Sequence, residues 1–178
     1  MLIGGYGAPS GDSKMRFLKR RFLRSGEQWD AALVRYQEHF RMIRDQLPEV
    51  AVALLKWKFH DEGVVSIQRV DKKSLVIELG SCRLEFLGVS HAVFPTTEQI
   101  GQGDVWLYDE IDLVVPGIFA MRALFDEYGF EVHATDVRIF NNYLKRYVLP
   151  PEAPKPGPTL FVDRVTRHSV GRKKKKKA

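Results

Sequence analysis

Two groups of residues in this chain have the types and spacing that chemistry uses. His60 and Asp61 are adjacent. Such a pair supplies two ligands in one class of metal-dependent phosphohydrolases, which need further His and Asp ligands from separate helices. Upstream, His39 is the available histidine, and it falls inside a helical pattern. Downstream, the sequence reads mostly as strand. The plainer expectation is that His60 and Asp61 close a helix and fix the turn into a strand, with Gly63 at a permissive backbone position. The second group is acidic: Asp104, Asp109, Glu110, Asp112, Asp126, Glu127, Glu131 and Asp136. Glu110 and Asp112 share a strand face, about 7 Å apart by strand rise. Paired carboxylates can hold a divalent cation or act as acid and base; as a solvated sheet face they do neither.

Trp106 and Tyr108 have the same parity as Glu110 and Asp112. If that face is exposed, it suits a basic protein partner. If it faces inward, Trp106 is core. Cys82 is the sole cysteine, which excludes an intramolecular disulfide and a four-cysteine zinc site. It opens a strand as a small packed residue. No Gly-rich phosphate loop, Gly-x-Ser-x-Gly elbow or His-Glu-x-x-His motif is present. No catalytic residue, metal or cofactor is therefore assigned.

The elements that must position these residues begin with a helix. Ser25 and Gln28 have capping-box spacing. Trp29, Leu33, Tyr36, Phe40, Ile43 and Leu47 then fall on one helical face. Pro48 ends that helix and can open a shorter one, with Val50, Leu54 and Trp57 as its buried face. Residues 64–70 and 74–79 flank the turn Asp71-Lys72-Lys73 as a hairpin. Residues 83–89 alternate as a strand, and 90–103 read as an irregular connection. Residues 105–114, 118–125 and 130–140 complete the strands, with Pro116-Gly117 as a turn. Helices first and strands afterwards predict an α+β fold, with N-terminal helices on one face of an antiparallel β-meander.

Charge is unevenly placed. The chain of 178 residues has a formal net charge of +6. From Pro151 onward there are nine Lys or Arg against Glu152 and Asp163. Residues 1–150 keep nineteen basic and twenty acidic groups, so the body is nearly neutral. The expected organisation is a disordered extension over 1–14, one domain over 15–149, a proline-rich linker over 150–163 and a basic disordered tail over 164–178. The Gly/Ser-rich start lacks the features of a signal peptide, and no apolar run is long enough to span a membrane. A cytoplasmic setting is expected. Oligomeric state is not legible.

The segment holding Arg16, Lys19, Arg20, Arg21 and Arg24 interleaves Phe17, Leu18, Phe22 and Leu23. Arg20 and Arg21, together with Arg172, Lys173, Lys174 and Lys175 of the tail, are the candidates for contact with nucleic acid.

Taken in order, Met15-Arg16-Phe17, the amphipathic helix, Phe59-His60-Asp61, the hairpin, and Val105-Trp106-Leu107-Tyr108-Asp109-Glu110-Ile111 followed by strands resemble a group of small uncharacterised bacterial proteins, a family of unknown function. The His-Asp-then-strand and Tyr-x-Glu patterns are similar to those of immunity proteins from bacterial polymorphic toxin systems. The resemblance spans roughly Met15 to Tyr143. It implies an α+β fold and a bacterial cytoplasmic setting, and it brings no catalytic residues. The expectation is a non-catalytic protein-binding domain, in the manner of an immunity factor, using Trp106, Tyr108, Glu110 and Asp112. The alternatives are a nucleic-acid-associated protein and a small metal-dependent hydrolase around His60, Asp61 and Glu110.

Overall fold

In the computed structural model the described residues are 15–96, 98–100, 104–126 and 128–148. The expected N-terminal extension, proline linker and basic tail, with Arg172, Lys173, Lys174 and Lys175, lie outside them.

Helix α1 runs Gly26–Ile43. The Ser25 hydroxyl accepts from the Gln28 amide at 3.4 Å and caps its start. Its apolar face splits between two targets: Trp29, Leu33 and Tyr36 join a small cluster with Met15, Leu18 and Leu124. Phe40 and Ile43 reach the main core. Pro48 caps the short helix α2, Glu49–Leu54, whose Ala51 and Leu54 are fully buried in that core.

The strands are β1 Val64–Asp71, β2 Ser74–Leu79, β3 Cys82–Leu87, β4 His91–Val93, β5 Trp106–Val115, β6 Ile118–Phe125, β7 Gly129–Ala134, β8 Asp136–Asn141 and β9 Arg146–Val148. They form two antiparallel sheets, in the orders β1-β2-β3-β8-β9 and β4-β7-β6-β5. Alternation sets the facing residues. Leu75, Ile77, Leu84 and Phe86 of the first sheet share one core with Phe119, Met121, Phe130 and Val132 of the second. The Phe86 ring lies 6.5 Å from Phe119 and 5.9 Å from Phe130.

Antiparallel sheets with helices were expected; one meander carrying helices was not the outcome. The reason lies at Thr135. The run read as a single strand over 130–140 breaks there, and its halves, β7 and β8, enter different sheets. Strand β4 occupies part of the segment read as irregular, and β9 follows a turn over residues 142–145. The chain passes between sheets twice at nearly the same place. Gly88, just after β3, has φ +63°, and a Cβ there would sit 2.1 Å from Thr135 Oγ1. The Thr135 amide and hydroxyl both donate to the Leu87 carbonyl, at 3.1 and 3.3 Å. Glycine is required on both conformational and steric grounds.

Strand β5 is an edge strand, and α1 covers its open side. The amide of Ile111 donates to the Tyr36 hydroxyl at 2.7 Å, and that hydroxyl lies 3.5 Å from the Ile111 carbonyl. A buried side chain thus satisfies backbone groups that another strand would otherwise pair with. None of the described helices is long and apolar enough to cross a membrane.

Candidate functional site

The face of β5 is decided by a register shift. Trp106 pairs with Phe125 and Tyr108 with Leu124, so two steps on β5 match one on β6. This bulge at Leu107 sends Trp106 inward while Tyr108, Glu110 and Asp112 point to the outer face of the four-stranded sheet. Trp106 is fully buried among Phe59, Phe125 and Phe130, and its Nε1–H donates to Asp109 at 3.2 Å. The expected shared face of Trp106 with Tyr108, Glu110 and Asp112 is corrected accordingly: an extra residue inverts the parity that the sequence suggested.

The outer face is not a free acidic surface. Glu110 is 1% exposed. Its Oε1 accepts from the amides of Phe17, at 2.7 Å, and Leu18, and its Oε2 accepts from the Arg16 amide at 2.9 Å. One carboxylate thereby binds three successive backbone N–H groups and holds the N-terminal segment against the sheet. Burial pushes its carboxyl up, and the three amides and Arg122 pull it back without cancelling the rise.

Asp112, 6% exposed, is the hub of an ionic lattice. Its Oδ2 accepts from Arg16 at 2.9 Å and from Arg122 at 3.2 Å, and its Oδ1 sits 2.7 Å from His39 Nε2. Burial pushes this carboxyl up, but His39, Arg16 and Arg122 outweigh it and leave it below the usual value. Arg122 continues the chain: its Nε donates to Glu131 Oε1 at 3.1 Å, and the same oxygen lies 3.0 Å from His133 Nε2. The His133 ring in turn lies 4.8 Å from the His91 ring. Sheet register explains the row. Glu110 faces Arg122, Arg122 faces Glu131, and His91 faces His133 across neighbouring strands.

His60 and Asp61 sit at the other end of this face. His60 Nδ1–H donates to the Leu107 carbonyl at 2.6 Å, and its ring stacks near Tyr108 at 5.3 Å. Asp61 is exposed and adopts φ +67°. Its amide donates to the Trp106 carbonyl, and Trp106 donates back to Glu62, each at 2.9 Å. The pair therefore fixes the turn that ties the first sheet to β5. The permissive position is Asp61, whereas Gly63 was expected; a short polar side chain tolerates left-handed geometry. Glu110 is engaged with the backbone amides of Arg16, Phe17 and Leu18, whereas His60 and Asp61 bond the backbone around Trp106 and Leu107.

Tyr108 is half-buried and lies 4.3 Å from the Trp29 ring. Arg20 donates to the Phe125 carbonyl, and the Arg21 guanidinium lies 5.0 Å from the Phe22 ring. Cys82 is buried, which pushes its thiol up to about 11, far from a nucleophilic thiolate at neutral pH.

Three residues that the sequence did not single out together are His91, Glu131 and His133. The signal was present at Glu131-Val132-His133, whose alternation places both polar groups on one strand face. Its partner His91 lay in a segment without strand periodicity.

These features define an α+β protein of two antiparallel sheets, whose helix and N-terminal segment cover a charged sheet face. The chain belongs to the family of proteins of unknown function designated DUF4085, whose model matches residues 8–134. No curated protein and no solved structure matches it.

Proposed function

We propose that this protein works by binding another protein and not by catalysis, through the β8–β9 hairpin. The carrying observation is composition and exposure at that hairpin. Tyr143 is 79% exposed, Leu144 56% and Tyr147 52%. Arg138, Lys145 and Arg146 are exposed beside them. Tyrosine and arginine are enriched among the hot spots of protein interfaces, because they combine large contact area with directed polar groups.

The acidic strand first assigned to this role supports it poorly. Glu110 and Asp112 are engaged internally, and Trp106 is core. The accessible charge at the hairpin is positive, which favours an acidic partner surface over a basic one. The face beside the hairpin is ordered. Tyr147 donates to Glu85 at 2.8 Å, Arg83 pairs with Glu85 at 2.9 Å, and the Arg83 guanidinium lies 4.9 Å from the Phe140 ring. A preorganised surface loses less entropy on association.

An immunity factor that neutralises a toxin is the narrower form of this reading. It rests on the resemblance of the His-Asp and Tyr-x-Glu patterns. The test is co-expression with the product of each adjacent gene, followed by size-exclusion chromatography with light scattering. A stoichiometric complex is expected, weakened at least about tenfold by Tyr147→Ala or Arg146→Glu with the fold intact. No complex with any neighbour, or a complex indifferent to both substitutions, overturns the proposal.

A further inference from the structure

We infer that His91, Glu131 and His133 form a binding site for a first-row divalent transition metal of the zinc class. One ligand atom from each residue lies within 4.8 Å of the others. A tetrahedral ion about 2.0–2.2 Å from each ligand needs ligand atoms roughly 3.3 Å apart. The Glu131–His133 pair stands close to that spacing, hydrogen-bonded at 3.0 Å, and an ion would take the place of the shared proton. The His91 ligand atom lies within 4.8 Å of the other two, and His91 is the exposed member of the three.

The backbone places the set well. His91 and His133 are directly opposed on β4 and β7, and Glu131 stands two residues before His133 on the same face. All three come from strands, which hold ligands more tightly than loops do. Behind them, Arg122 bonds Glu131 and is fixed in turn by Asp112. This is the outer support that metal ligands commonly have, orienting the carboxylate.

Two imidazoles and one carboxylate select the metal. Imidazole favours zinc, nickel, copper and iron, whereas calcium and magnesium take oxygen donors. Three protein ligands on an accessible face leave a fourth position open to water or to a group from a partner. The site is separate from the β8–β9 hairpin, so each reading stands or falls alone.

The test is isothermal titration of the tag-free full chain with zinc chloride, and optical titration with cobalt(II). Wild type is expected to bind one equivalent, with cobalt bands of four- or five-coordinate geometry. His91→Ala and His133→Ala are expected to weaken binding at least about tenfold. His60→Ala is expected to bind as wild type does. His91 is exposed, so His91→Ala keeps the test valid if His133→Ala fails to fold. Absence of stoichiometric binding, or binding unchanged in His91→Ala, overturns the site.

Discussion

Asp112 and Glu110 stand two residues apart on β5, yet their environments push their carboxyls in opposite directions. Asp112 gains three cationic or imidazole neighbours; Glu110 is buried against backbone amides. Because the Asp112 carboxyl lies lower in the folded chain than its value of 3.8 in the unfolded one, folding favours its ionised form. Its contribution is complete above that value and is lost as pH falls through the folded one. Asp112→Asn is expected to lower stability at pH 7 by about 1–3 kcal/mol. The gap should close towards pH 3, as urea unfolding at both pH values will show. The sequence made these carboxylates visible as a pair but not their surroundings. Arg16 and His39 lie more than seventy positions upstream, and no local pattern links them to Asp112.

Elements were legible where one periodicity governed them. Five of the six apolar positions, Trp29 to Ile43, lie on one face of α1, which ends before Leu47, and the β1–β2 hairpin follows its turn residues. Failures came where tertiary contacts overrode alternation. The bulge at Leu107 inverted the face of Trp106, and Thr135 divided an apparently continuous strand. The Tyr36 hydroxyl shows how α1 and β5 depend on each other. Tyr36→Phe keeps the ring and removes the oxygen, leaving the Ile111 amide and carbonyl buried without that partner. A stability loss of about 1–3 kcal/mol is expected. Hydrogen exchange at the Ile111 amide should rise more than at inward-paired amides of β6, which NMR can measure.

At the scale of the whole molecule, the two sheets depend on strands that lie late in the chain. β8 pairs with β3 over six residues and then carries β9. The family match ends at residue 134, the last residue of β7 and so of the second sheet. A chain ending at residue 134 would lack both strands and open the edge of β3. It is expected to lose the cooperative thermal transition of the full chain, measured by calorimetry, although β5, β6 and β7 remain complete.

The pairing of β3 with β8 also bears on how the protein reaches its native state. The β5–β6 and β6–β7 hairpins join neighbouring segments, so their nucleation closes short loops. Cys82 meets Asn141 only after the whole second sheet has intervened. Loop-closure entropy rises with the length enclosed, and distant contacts slow folding. The β3–β8 pairing is therefore expected to close last, and Val137→Ala is expected to slow refolding less than it speeds unfolding, as stopped-flow kinetics will measure.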